Sequence, residues 1–248
     1  MPHELQAPTE PTLWHRLGRR VWLGSLLMVI LLVVYPVSLT LTRVCLLIAI
    51  LMMWLGFVAW VWHVKVARLA ALAIPLFVFV FFMIRSRDVD RAGMRINYVK
   101  SLRRYEGTRY IWGGENRVGI DCSGLVREGL IHADIGCGLR TLDPALVREG
   151  LFIWWNDCSA RELRDGYRNR TRFVLSARGI NELDAAQLFP GDLAVTRDGS
   201  HVLAYIGDGT WIEADPAVGR VVTAKSPSTG NGWLAIPVNI VRWRQLES

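Results

Sequence analysis

"GIDCSGLV", residues 119–126, is the stretch from which the rest of this chain can be read. A cysteine stands between an aspartate and a serine, with a glycine and an apolar run behind it. Asp121 is a suitable helix N-cap, so Cys122 falls in the first turn of a helix, near backbone N–H groups that have no partner within the helix. A helix N-terminus favours a thiolate, and the same amides can hold a developing oxyanion. The competing reading of Cys122 is a buried structural thiol.

Outward from this point the chain has helices first and strands afterwards. Behind Cys122, "SGLVREGLIHA" (123–133) reads as a helix with Leu125, Val126, Gly129 and Leu130 inward. In front, Ala92, Ile96, Val99 and Leu102 recur at helical spacing, and "TRYIWGG" (108–114) is an extended piece running into a glycine turn. Residues 143–166 are expected to be helical twice. Asp143-Pro144 is a cap followed by proline at the first helical position, and "SARE" (159–162) is a capping box. After "FPGD" (189–192) the period becomes that of strands: "LAVT", "HVLAYIG", "TWIEA", "RVVTA" and "WLAIPVNIVRW", separated by turn residues. This order implies an α+β domain with N-terminal helices on an antiparallel sheet.

A base for Cys122 is found by elimination among five histidines. His3 and His15 precede the apolar front of the chain, and His63 stands within that front. His132 lies ten residues along the same helix as Cys122, about 15 Å away at 1.5 Å per residue. His201, at the start of "HVLAYIG", remains. Glu213 lies twelve residues further on, with "GDG" (207–209) between them as a hairpin turn. A loop with an odd number of residues puts the two on one face, where Glu213 can orient the ring. Asp215 is the rival for that role.

The front of the chain is of another kind. Residues 21–41 and 44–62 carry no charge, and 66–84 makes a third apolar run with one arginine. Each approaches the roughly 20 residues that a membrane-crossing helix needs. A cleaved signal peptide fits poorly, since apolar runs follow one another to residue 84. The expected organisation is a tail (1–20), three transmembrane helices (about 21–41, 44–62 and 66–84), a charged linker (85–91) and one domain (92–248). These helices carry no intramembrane carboxylate, which argues against a transport route.

The net charge of +7 divides as 6 basic and 2 acidic residues in 1–84 against 23 and 20 in 85–248. A domain so nearly balanced, with no phosphate loop or basic–aromatic ribbon, does not read as a nucleic-acid binder. Four cysteines (45, 122, 137, 158) without a CxxC pair make no zinc site, and a Cys137–Cys158 disulfide is left open.

"YIWGGENRVGIDCSGLV" (110–126), then "PGDLAV" (190–195) and "HVLAYIGDGTWIEA" (201–214), resembles the NlpC-type bacterial cell-wall cysteine peptidases over residues 92–245. The resemblance implies a papain-like fold, with Cys122 as nucleophile, His201 as base, and a polar third residue at position 213. That third residue is commonly histidine in the family and is Glu213 here, which implies a more basic imidazole. The resemblance also implies that Tyr110, Asp121 and Ser123 line the site and hold substrate, and that no metal or organic cofactor is required. Its substrate would be peptidoglycan stem peptides, cut after D-glutamate through an acyl-enzyme. Residues 138–188, with Trp154 and Trp155, form a longer segment than the family leads one to expect.

Two alternatives stay open: a catalytically silent module that binds cell-wall peptides, and a related cysteine acyltransferase acting on lipid amides. The expected location is the bacterial cell membrane, with lipid around the N-terminal helices. Sidedness is divided. Five basic residues (Arg16, Arg19, Arg20, Lys65, Arg68) lie near the helix ends on the N-terminal side and eight (Arg43, Arg85, Arg87, Arg91, Arg95, Lys100, Arg103, Arg104) on the other. That count favours a cytoplasmic domain, whereas a cell-wall substrate requires an extracytoplasmic one, and the extracytoplasmic side is the expectation taken here.

Overall fold

The computed structural model describes residues 13–86 and 90–247. Of the expected tail, residues 1–12 lie outside the described residues, as do 87–89 of the expected linker. The chain divides into two units, one of Met1–Val34 with Thr40–Phe82, the other of Tyr35–Leu39 with Met83–Ser248.

The first unit holds α1 (Leu13–Val34), α2 (Thr40–Val61) and α3 (Lys65–Met83), each long and apolar enough to cross a membrane. The first apolar run is not one helix over 21–41. It starts at Leu13, because arginines are good helix formers, and stops at Val34. Pro36 has no N–H to give and biases Tyr35 away from helical geometry. Two glycines let α1 and α2 approach closely: a Cβ on Gly18 would meet the Trp60 nitrogen at 2.6 Å, and one on Gly56 the Trp22 nitrogen at 2.7 Å.

The second unit is α+β, with helices packed on an antiparallel sheet. Its helices are α4 (Arg91–Arg103), α5 (Cys122–Thr141), α6 (Pro144–Trp155) and α7 (Ala160–Arg164). The expected caps at Asp143 and at Ser159 with Glu162 are formed, the latter as a reciprocal capping box. Six strands, β1 (Thr171–Ala177), β2 (Leu193–Thr196), β3 (Val202–Gly207), β4 (Thr210–Asp215), β5 (Arg220–Lys225) and β6 (Val238–Trp243), lie in the order β1-β6-β2-β3-β4-β5.

The sheet therefore begins before "FPGD". β1 arises within 138–188 and pairs with β6, far along the chain. The last expected strand is shorter than "WLAIPVNIVRW": Gly232–Ala235 is a 3₁₀ turn, and pairing starts only beyond Pro237, which has no N–H for a ladder. Cys137 and Cys158 are both free. Cys137 sits on α5, near Asn97 and Arg140, and Cys158 is buried after α6, so the pairing left open by spacing does not form.

Helix α5 runs through the middle of the unit. Leu125, Val126 and Leu130 are fully buried with Leu193, Val195, Val202 and Ile212 of the sheet. The opposite sheet face carries its own core of Leu203, Trp211, Leu234 and Ile240. Cover on both faces explains why β2, "LAVT", is buried at every residue instead of alternating.

The packing around α5 also encloses Asp134, whose carboxylate accepts from Gln245 Nε2 at 2.9 and 3.1 Å. Burial pushes this carboxyl up to about 8, against the Gln245 hydrogen bonds, with Glu149 adding to the rise. A carboxyl raised in the folded state gives stability that is complete below its unfolded value near 3.8 and falls away as pH rises towards 8. Asp134→Asn is therefore expected to gain on the wild type by a few degrees in melting temperature between pH 4 and pH 8. Parallel melting curves across that range would refute a cost of charging Asp134.

Candidate active site

The site is assembled from the N-terminus of α5 and the hairpin β3–β4. Asp121 caps α5 in extended geometry, and its Oδ1 accepts from Gly124 N at 2.7 Å and Ser123 Oγ at 3.0 Å. Its Oδ2 accepts from Gly113 N at 2.8 Å, which ties the glycine turn of "YIWGG" to the start of the helix. Gly124 cannot carry a side chain there, because a Cβ would fall 2.3 Å from the Gly114 carbonyl oxygen. Cys122 follows the cap as the first helical residue.

His201 stands immediately before β3. Its Nε2 lies 2.5 Å from Glu213 Oε2 on β4, both groups buried, and Cys122 is near enough to act on the charge of the ring. With Nε2 engaged by the carboxylate, Nδ1 is the ring nitrogen left for a second partner. Burial opposes a charge on this ring, but Cys122 and Glu213 beside it outweigh that and push His201 up to about 9. The imidazolium thus contributes stability that is complete below about 6.5 and is lost as pH rises through about 9. An NMR titration of His201 should show its midpoint near 9, moving down by roughly one unit in Glu213→Gln. An unchanged midpoint in that variant would deny Glu213 its share.

The way Glu213 reaches His201 differs from a simple odd loop. Gly207 pairs with Thr210, so the loop proper holds only Asp208 and Gly209, both at positive φ. Two loop residues alone would put His201 and Glu213 on opposite faces. A bulge between Tyr205 and Gly207 supplies the odd residue, after which Tyr205 pairs with Trp211 and Ala204 with Ile212. Continued, this register sets Asp215 level with His201 and Glu213 one pleat nearer the turn on the same face. Asp215 is occupied by the next turn, where its Oδ1 accepts from Ala217 N at 2.7 Å.

Two residues in this arrangement carry no local signal in the sequence. Asn231 Nδ2 donates to Glu213 Oε1 at 2.5 Å, so the carboxylate is held from both sides. Trp233 stacks on the His201 ring at 4.1 Å between centroids and 24° between planes. Asn231 belongs to "SPSTGNG", which reads as a plain turn, and Trp233 to the expected last strand, where it falls in a 3₁₀ turn instead. Only their place in the fold brings them to the histidine.

Beside Cys122 opens a cleft of about 490 Å³, lined by Asp121 and Ser123, by Trp112 and Gly113, and by Asp157 to Ala160 with Glu162. The segment 138–188 thus forms one wall of the cleft. Trp112, 80% exposed, stands at its edge. Tyr110 does not line this cleft. Its phenol is pushed up to about 12, chiefly by burial and then by the negative charge of Cys122 and Asp121, so it stays a proton donor near the thiol. His132 is engaged elsewhere, against Glu128 and Tyr105.

Behind the cleft lies Arg127, fully buried. It donates to the Glu115 carboxylate, to Asp157 Oδ1 at 2.8 Å, and to the carbonyls of Ile153 at 2.8 Å and Asn156 at 3.2 Å. One guanidinium therefore joins α5, the 112–116 loop and the wall segment.

A sequence model described as the NlpC/P60 family matches residues 107–234. No curated protein matches the chain. Solved structures similar to it include NlpC1 from Trichomonas vaginalis, at 18% identity and a TM-score of 0.41, covering 64% of this chain and 47% of that one. They also include an NlpC/P60 family protein from Bacillus cereus, at 22% identity and a TM-score of 0.39, covering 62% and 40%. A third is the peptidoglycan hydrolase RipB from Mycobacterium tuberculosis, at 21% identity and a TM-score of 0.39, covering 64% and 68%. The chain thus spans less than half the length of the first two.

Proposed function

Since this chain belongs to the NlpC/P60 family of cell-wall peptidases, we propose that it is a membrane-anchored cysteine peptidase that hydrolyses an amide bond in peptidoglycan stem peptides. The observation that supports this most is the buried His201–Glu213 pair beside Cys122, which opens helix α5 at the edge of a cleft. In this reading His201 Nδ1 takes the Cys122 proton, and the sulfur attacks the amide carbonyl. Unpaired backbone N–H groups of the first turn of α5 stabilise the tetrahedral oxyanion. The imidazolium, held by Glu213, gives its proton to the leaving amine. A water molecule, deprotonated by His201, then hydrolyses the thioester and frees Cys122. Asp121 and Ser123, which line the cleft, hold the peptide, Tyr110 acts from outside it, and the bond cut is the one after D-glutamate, as the family resemblance implies.

The anchor would be α1–α3, with the catalytic unit outside the cytoplasm. Five of the eight basic residues counted against that orientation, Arg91, Arg95, Lys100, Arg103 and Arg104, lie in or at the end of α4, inside the folded unit. Charges of a folded domain weigh little in orientation, so the comparison becomes five on the N-terminal side against three, Arg43, Arg85 and Arg87.

The full chain in detergent should release new amine groups from purified peptidoglycan, with fragment masses that place the cut after D-glutamate. Release from free stem peptides alone would move the substrate to soluble wall fragments. Bound but uncut peptides would make a silent binding module the better reading.

A further inference from the structure

The five residues between α1 and α2 belong to the catalytic unit. Tyr35–Ser38 runs antiparallel along the outer edge of the 113–116 loop, with Val37 bridged to Gly114. Glu115 N donates to the Pro36 carbonyl at 2.9 Å, Ser38 N to the Gly113 carbonyl at 3.3 Å, and Asn116 Nδ2 to the Tyr35 carbonyl at 3.0 Å. The inner edge of the same loop holds the start of α5. Gly113 N bonds Asp121 Oδ2, the Gly114 carbonyl accepts from Asp121 N at 3.1 Å, and Glu115 receives Arg127. A loop with two successive glycines has much backbone freedom to lose, and pairing along its outer edge removes it.

We infer that Tyr35–Ser38 is a positioning strand for the nucleophile: it pins the Gly113–Asn116 loop, which in turn fixes the Asp121 cap and Cys122. The catalytic unit is then discontinuous in sequence and takes one element from outside the region matched by the family. Topology follows from the same pairing. The 35–39 segment and Cys122 face one compartment, and α2 and α3 lie between them along the chain. Both of these apolar helices must then cross the membrane, which makes three spans and puts the N-terminus on the other side.

This inference rests on the reading of Cys122 as nucleophile, and its test uses the full chain in detergent. Ser38→Pro removes the N–H that reaches Gly113, whereas Ser38→Ala keeps it. For a soluble stem peptide, kcat of Ser38→Pro should fall about tenfold or more with KM within about threefold, since small displacements of a reacting group cost rate. Ser38→Ala should stay within about twofold of the wild type. In the wild type the Glu115 amide should exchange slowly, and in Ser38→Pro quickly. Wild-type kcat in Ser38→Pro, or a fast-exchanging Glu115 amide in the wild type, would overturn the inference.

If Ser38→Pro does not fold, Val37→Gly, which loosens the strand and deletes the methyl group lying against Gly113, should lower kcat in the same direction. An unchanged kcat in Val37→Gly would equally overturn it. Amide exchange needs no turnover. A wild type that cuts no stem peptide but protects Glu115 would therefore refute the proposed hydrolysis while supporting the pinned loop.

Discussion

Cys122→Ala should lower amine release from stem peptides by at least about 1,000-fold while leaving peptide binding and the melting curve nearly unchanged. The size of the effect follows from chemistry. Without the sulfur there is no acyl-enzyme, and His201 with Glu213 has only a water molecule to activate, at a position it was not built to serve. The effect on the fold should be small, because the change removes one buried sulfur from the first residue of a helix whose cap, Asp121, stays in place. Binding of stem peptide to the variant, followed by calorimetry, separates loss of chemistry from loss of structure. A variant that keeps a tenth of the wild-type rate would remove Cys122 from the mechanism and return it to the role of a packed thiol.

Arg127→Met should be the most destabilising single change away from the site, at roughly 3–5 kcal/mol, or about 10 °C in the melting temperature of the α+β unit. The guanidinium is the partner of a buried Glu115 and of two backbone carbonyls at the end of α6. Methionine fills much of the space but leaves that carboxylate without its cation and those carbonyls without a donor. Asp157, more than half exposed, can turn to water and should contribute little. The double variant Arg127→Met with Glu115→Leu should therefore recover a good part of the loss, as removing both members of a buried pair costs far less than removing one. If the double variant were no better than the single one, the Arg127–Glu115 pair would not be the origin of the effect.

Much of the architecture was legible because its determinants are local. A cap, a proline at the first helical position and a capping box lie within four residues of the helix they start, so α5, α6 and α7 could be read from short windows. The strands β2 to β5 are joined by turns whose glycines and aspartates sit between apolar runs. The choice of His201 as the candidate partner of Cys122 needed only a count of histidines and the rise of a helix. The third position was legible in part. Twelve residues of separation brought Glu213 near His201, but the bulge between Tyr205 and Gly207 that puts them on one face leaves no mark in "AYIGDG".

What the tertiary structure decided is everything that joins distant segments. Strand β1 exists because β6, more than sixty residues away, offers it an edge. Asn231 and Trp233 reach His201 only when the chain returns across the sheet. Arg127 looks like a solvated helix charge until α6 and the 113–116 loop close over it, and Tyr35–Ser38 looks like a span interior until Pro36 breaks the helix there. A helix cap or a turn is encoded by the few side chains that compete for its own backbone groups. A register, a buried ion pair or an added strand is chosen by which surfaces meet, and no window of sequence contains both. For this chain the amino-acid order alone determined the apolar front, the α+β domain and the candidate residues Cys122 and His201, whereas packing determined what surrounds them.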